Sequence, residues 1–214
     1  MMRIGYFGGS FDPPHRGHLA VARTAAAAFA LDTVLLVPTS NQPLKPEGPS
    51  APYADRLAMV KLLCAESEDA HCVASDLEAP PPGNPPHYTV DTLEQLRSTL
   101  AFDDRLFVLA GADAFLQLPA WRSPHRLLTL ADWIVVSRPG FDPARLNALL
   151  AALMDELALS AADRERIHLL VELDDPTSAT TLRRQLAASV PPAEVAGLPP
   201  SILAYMRQHH LYGL

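Results

Sequence analysis

The chain has 214 residues, 49% of them hydrophobic and 19% charged, and carries a formal charge of −7. This is the composition of a folded domain with one sizeable core, and it excludes a disordered chain. The acidic balance argues against a nucleic-acid duplex as partner. No apolar run approaches the roughly 20 residues that cross a bilayer, and no basic, apolar leader precedes the first strand-like run, so a cytoplasmic protein is expected.

Residues 3–7 read as a short strand and residues 19–31 as an alanine-rich helical run. Between them lies Gly8-Gly9-Ser10-Phe11-Asp12-Pro13-Pro14-His15-Arg16-Gly17-His18. A strand, a glycine turn and a helix turn backbone N–H groups and a helix N-terminus toward an anion, so a phosphate site is expected here. The glycines allow close approach of the backbone to a ligand, and the prolines keep the loop extended until the helix starts near Arg16. His15 and His18, three apart at that start, can present both rings on one side. The loop has neither the P-loop lysine nor the G-x-G-x-x-G of a dinucleotide site. Zinc binding by the two histidines, or a plain Pro/Gly turn carrying them, are the alternative readings of the loop by itself.

Residues 32–37 form a continuous apolar run ended by Pro38, the pattern of a strand buried on both faces. The loop 38–52 carries five prolines and Lys45. A helix over 53–66 and a short strand over 71–74 follow. Cys64 and Cys72 in this region are too few for a disulfide framework and read as buried or half-buried thiols. The proline-rich stretch 79–86 is a surface loop. It leads to Tyr88 and to a helix through Leu93 and Leu96 to Leu100 that Thr89 or Asp91 would cap.

The next strand is 105–109, closed by Gly111-Ala112-Asp113, which opens a short helix, with Trp121 soon after. A strand over 132–137 ends at Arg138-Pro139-Gly140. Residues 143–159 read as an amphipathic helix, 167–171 as a late strand, 182–188 as a helix after a hydroxyl-rich lead, and 199–213 as a last helix with Pro at its start and Gly at its end. Alternating strands and helices call for an α/β fold, a doubly wound, mostly parallel, Rossmann-like sheet. It is read as one domain over 1–214 with residues 176–214 as a small helical C-terminal subregion. The ligand of such a sheet lies at the carboxyl ends of the strands, where the chemically unusual segments of this chain fall.

The pattern G-x-F-D-P-x-H-x-G-H resembles the signature loop of the nucleotidylyltransferase superfamily. That resemblance implies that Gly8, Gly9, Ser10 and Phe11 border ATP. It also implies that His15 and His18 contact the triphosphate and stabilise charge on its α-phosphate. Ser178-Ala179-Thr180-Thr181-Leu182-Arg183 taken alone is a helix cap with a solvated arginine, or a set of phosphate-holding hydroxyls, amides and guanidinium. It resembles the second superfamily motif, which implies that Ser178, Thr180 and Arg183 grip the β- and γ-phosphates. Arg184 is the neighbouring alternative, and the motif spacing selects Arg183.

Asp113 reads as a helix cap or a ribose acceptor, Trp121 as a half-buried core residue or a stacking platform. Together with Tyr88-Thr89-Val90-Asp91-Thr92-Leu93 and Val136-Ser137-Arg138-Pro139-Gly140, they are similar to the bacterial nicotinate-nucleotide adenylyltransferases. The resemblance implies adenylyl transfer from ATP to nicotinate mononucleotide, giving deamido-NAD and pyrophosphate in NAD biosynthesis, by direct in-line attack without a covalent intermediate. Tyr88, Thr89, Asp113, Trp121 and Arg138 would then border the acceptor, Thr89 at its carboxylate and Trp121 on its pyridine ring. Lys45 is a phosphate contact or a solvated loop cation, and Leu44 stands where that family often has histidine. Mg²⁺ would arrive with ATP, since no dedicated carboxylate cage is visible. The rivals are an adenylyltransferase acting on phosphopantetheine, acceptance of nicotinamide mononucleotide as well as the acid, and a nucleotide sensor without turnover; a homo-oligomer is compatible with any of these.

Overall fold

The computed structural model describes residues 1–44, 47–67, 71–137, 142–157, 159–170, 177–188 and 195–214. Its centre is a sheet of six strands: β1 (Arg3–Gly9), β2 (Thr33–Pro38), β3 (Cys72–Ala74), β4 (Arg105–Gly111), β5 (Asp132–Val136) and β6 (Ile167–Leu170). Every described pairing is parallel and the order is β3-β2-β1-β4-β5-β6. The expected mostly parallel sheet is thus all parallel among these strands. The order reverses direction between β1 and β4, and the loops leaving those two strands part to open a crevice at their carboxyl ends.

Helices cover both faces. Alternate residues of each strand feed opposite cores, as a period of two requires. On β4, Phe107 and Leu109 pack with Leu19, Ala22, Ala25 and Ala26 of α1 (Arg16–Phe29) and with Met59, Val60 and Leu63 of α2 (Tyr53–Ala65). Leu106, Val108 and Ala110 pack on the other side with Val90, Leu93 and Leu96 of α3 (Thr89–Thr99), and with the segments that join β4 to β5. Those segments are α4 (Ala112–Phe115), a 3-10 turn (Leu118–Ala120) and α5 (Pro124–Leu130). The fully buried Trp133 anchors this second core, its indole N–H donating to the Leu127 carbonyl at 3.1 Å.

The sequence reading differs from the structure at several ends. The first helix stops at Phe29 because Ala30 turns left-handed, φ 47°, its N–H capping the Ala26 carbonyl. Tyr88 is the N-cap of α3, so Thr89 and Asp91 lie inside the helix and neither caps it. The helix expected over 143–159 ends as α6 (Pro143–Glu156), and Ser160, accepting from the Asp163 N–H at 3.2 Å, starts the separate α7 (Ala161–Glu165). In the C-terminal stretch α8 (Ala179–Ala187) begins earlier than expected. The last helix, α9 (Pro200–Gln208), ends well before Gly213, because the chain then turns through left-handed backbone at His210 and Tyr212. The short α5 was not expected at all; Pro124 at its first position starts it. Cys64 and Cys72 are free thiols, half-buried and buried, and burial pushes the Cys64 thiol up to about 12. No described helix is long and apolar enough to cross a membrane.

Candidate active site

β1 ends at Gly8 and Gly9, paired with Val37 and Pro38 of β2. A Cβ at Gly8 would run into the Tyr6 ring, with Cζ at 2.8 Å, so the backbone lies directly on that phenol. The chain then turns through Phe11, which takes a left-handed φ of 45° with its ring fully buried. That strained turn is held by ring contacts to Phe7 at 5.6 Å and His18 at 4.7 Å, and by the next residue, Asp12.

Asp12 is buried and ties the loop to three distant parts of the chain. One carboxylate oxygen accepts from the Ser50 N–H at 2.7 Å; the other accepts from the Ala51 N–H at 3.1 Å and the Tyr212 hydroxyl at 2.6 Å. Arg183 donates to the Asp12 carbonyl and lies 3.6 Å from its carboxylate. Arg56, 2% exposed, lies beneath the loop and donates to the carbonyls of Ser10 at 2.7 Å and Ala51 at 3.1 Å. Burial lowers its pKa and the Asp12 carboxylate opposes that shift. A buried charge held in this way fixes the backbone it bonds, because either partner left alone would be costly.

His15 is the N-cap of α1 and is buried. Its N–H donates to Nδ1 of His18 at 3.2 Å, so His18 carries its proton on Nε2 in this arrangement. The two rings lie 3.8 Å apart with 38° between their planes. They therefore lie tilted against each other beside the first turn of α1, where the helix dipole favours an anion. Across from them, Ser178 caps α8 by accepting from the Thr181 N–H at 3.2 Å, and Thr180 is exposed in the first turn. Of the two neighbouring arginines only Arg183 reaches the loop; Arg184 turns back toward Thr181, 3.5 Å away.

On the other side of Gly8 and Gly9 a cavity of about 220 Å³ is lined by both glycines, Ser10, Gln42, Leu44, Glu78, His87, Tyr88, Thr89, Trp121 and Arg122. It is smaller than the roughly 300–1,000 Å³ of a pocket that encloses a drug-sized ligand. It suits a ring rather than a whole nucleotide. Trp121 is half-buried, in an edge contact with the buried Trp133 at 6.2 Å. Leu44 is about half exposed at the rim. The floor is a buried polar chain: Tyr6 donates to Glu78 at 2.6 Å, Thr92 donates to the same oxygen at 3.0 Å, and His87 Nε2 meets the Thr92 hydroxyl at 2.8 Å. Since the Thr92 proton goes to Glu78, His87 is the donor in the last bond. Burial raises the Glu78 pKa, and its bonds with Tyr6 and Thr92 and the charge of His87 oppose the shift.

The structure thus brings Gly8, Gly9, Ser10, Phe11, His15, His18 and Arg183 together around one loop, and Tyr88, Thr89 and Trp121 around the adjoining cavity. Asp113 is exposed on α4 and does not line the cavity, although Ala114 and Gln117 of the same stretch do. Lys45 and Arg138 lie outside the described residues. Sequence reasoning missed Asp12 as the hub, though it stands inside the quoted motif, and missed Arg56, Tyr212, Tyr6 and Glu78. Arg56, Glu78 and Tyr212 lie outside the motifs and Tyr6 lies in the strand just before the first one, and only tertiary packing gives the four their partners.

The chain matches the model of the cytidylyltransferase-like family over residues 6–185. It is 40% identical over 214 residues to a protein of Solibacter usitatus and 41% identical over 217 residues to one of Chromobacterium violaceum. Both are named "Probable nicotinate-nucleotide adenylyltransferase"; the alignments cover 99% and 98% of this chain and 100% and 98% of those proteins. In fold it resembles the nicotinic acid mononucleotide adenylyltransferase of Plasmodium falciparum solved with NaAD, with a TM-score of 0.75 at 15% identity over 99% of this chain and 98% of that one. The motif loop, the parallel sheet and full-length identity to these relatives agree, and the chain belongs to the nicotinate-nucleotide adenylyltransferase family of cytidylyltransferase-like proteins.

Proposed function

We propose that this chain transfers the adenylyl group of ATP to nicotinate mononucleotide, releasing pyrophosphate and forming deamido-NAD, as a cytoplasmic step of NAD biosynthesis. The observation that carries the reading is the pair of close imidazoles at the N-terminus of α1, on the same loop that Arg183 reaches at Asp12. Imidazole and guanidinium donors around one turn at a helix N-terminus support the reading of that turn as a triphosphate site. An oxygen of the acceptor's 5′-phosphate attacks the α-phosphorus in line; the bond to the bridging oxygen breaks, and pyrophosphate leaves with its electron pair.

No nucleophilic side chain is needed, and the chain's contribution is position and charge. His18, held with its proton on Nε2, donates to an α-phosphate oxygen, and His15 supports the same charge from the helix cap. Arg183 draws the β- and γ-phosphates toward the exposed first turn of α8, with Ser178 and Thr180 beside it. On the acceptor side Trp121 stacks on the pyridine ring and Thr89 meets the acid group at the start of α3, next to Tyr88. Asp113 is kept as a ribose partner that a bound nucleotide would have to reach from outside the cavity wall. Lys45 and Arg138 are kept as acceptor contacts on their sequence positions alone.

Among the described residues no group of three or more His, Cys, Asp or Glu is placed to hold a metal ion. Mg²⁺ is read as coming with the substrate, as the complex of ATP, where it would screen the charge of the phosphates. The test is the fate of label: with ATP labelled at the α-phosphorus and nicotinate mononucleotide, all transferred label should appear in the dinucleotide. Label trapped on the protein, or free AMP as the labelled product, would contradict direct transfer.

A further inference from the structure

Arg122 follows Trp121 and is the one permanently charged cation among the described residues lining the 220 Å³ cavity. Its guanidinium lies 4.6 Å from the centre of the Tyr88 ring and 3.6 Å from the Asp91 carboxylate, and both charged side chains are 55% exposed. An ion pair that exposed is weak, typically worth about 0–1 kcal/mol. The Tyr88 face keeps the guanidinium at the mouth of the cavity, beside the first turn of α3. The other ionisable groups lining the cavity are Tyr88 itself, His87 and Glu78; Glu78 is buried, accepts from Tyr6 and Thr92, and adds no cation. Among the described residues, a ring bearing a carboxylate therefore meets a permanent positive charge in one place, at Arg122, whose ion pair with Asp91 is exposed and weak.

We infer that Arg122 is a specificity-determining residue that exchanges the exposed Asp91 for the carboxylate on the acceptor's ring, and so favours an acidic over an amide acceptor. This rests on the reading of the acceptor as a pyridine mononucleotide. Asp91 competes with the substrate for the same guanidinium, so the two residues push selectivity in opposite directions. A charge-assisted contact of this kind corresponds to about tenfold in binding.

The experiment compares kcat/KM for nicotinate mononucleotide and nicotinamide mononucleotide in the wild type, Arg122→Gln, Arg122→Lys and Asp91→Asn. The acid-to-amide ratio should fall about tenfold in Arg122→Gln, mainly through the acid's KM, and recover most of its value in Arg122→Lys. It should rise about two- to threefold in Asp91→Asn, where the competing carboxylate is gone. An unchanged ratio in Arg122→Gln, or a ratio that falls in Asp91→Asn, overturns the inference while leaving the adenylyltransferase reading intact. A wild type that makes no dinucleotide from the acid would instead remove the reading on which it rests.

Discussion

Replacing Tyr212 with Phe removes one hydroxyl at the far end of the chain and tests how the signature loop is held. That hydroxyl donates to Asp12 at 2.6 Å across 200 positions of sequence. A hydrogen bond to a charged group contributes about 2 kcal/mol. Tyr212 makes the bond from a left-handed backbone, φ 57°, a conformation costing about 1 kcal/mol that the bond offsets. The loss is thus about 2 kcal/mol if the tail keeps its course and about 1 kcal/mol if it relaxes. For a chain of this length the larger loss lowers the melting temperature by about 4–8 °C and the smaller by about 2–4 °C.

The effect should not depend on pH near neutrality. Burial and the Asp12 carboxylate drive the Tyr212 hydroxyl well above the ordinary tyrosine value of 10. A group raised in the folded state contributes fully below its unfolded pKa and loses that contribution only as pH rises beyond it. Between about pH 6 and 9 the hydroxyl remains a donor throughout. Because Asp12 also positions the turn before His15, turnover should drop more than ATP affinity does. Thermal unfolding and steady-state rates at two pH values read both parts. A variant that melts within about 1 °C of the wild type and turns over equally would refute the idea that the C-terminal tail fixes the loop.

If, as proposed, the His18 ring acts on charge that develops during transfer, His18→Ala should lower turnover far more than it weakens ATP binding; equal losses would count against that role. Glu78→Gln should alter the pH dependence of stability. The folded-state pKa of Glu78 is raised above its ordinary 4.5, so its contribution is fully present below that value and is lost as pH rises through the raised one. Melting of the variant relative to the wild type should therefore improve from about pH 4 toward 8. A difference that is flat with pH would show that the buried carboxyl is not the source.

Much of the fold was legible because buried parallel strands are continuous apolar runs with abrupt ends. The stretches around Val34 to Val37, Leu106 to Leu109 and Trp133 to Val136 announce themselves in that way. The helix ends were less legible because they depend on tertiary ties. The tail leaves α9 at His209 and is carried to Asp12 by Tyr212, a contact that no local pattern near Gly213 encodes. Ser178 and Arg183 were picked out by resemblance to a family motif, whereas the side-by-side placing of His15 and His18 was readable from their spacing. The Tyr6–Glu78–Thr92–His87 chain was not, because its members come from β1, the loop after β3 and the start of α3, and meet only when β1 and β2 pair. Asp113 shows the opposite case: a residue prominent in pattern that lies on the outer side of α4 rather than in the cavity wall.

The account stands or falls most directly on pyrophosphate release from the magnesium complex of ATP, measured side by side with nicotinate mononucleotide, nicotinamide mononucleotide and phosphopantetheine. It predicts rapid release with the acid nucleotide, slower release with the amide and none with phosphopantetheine. Release with phosphopantetheine alone, or no release with any of the three despite ATP binding, would contradict it.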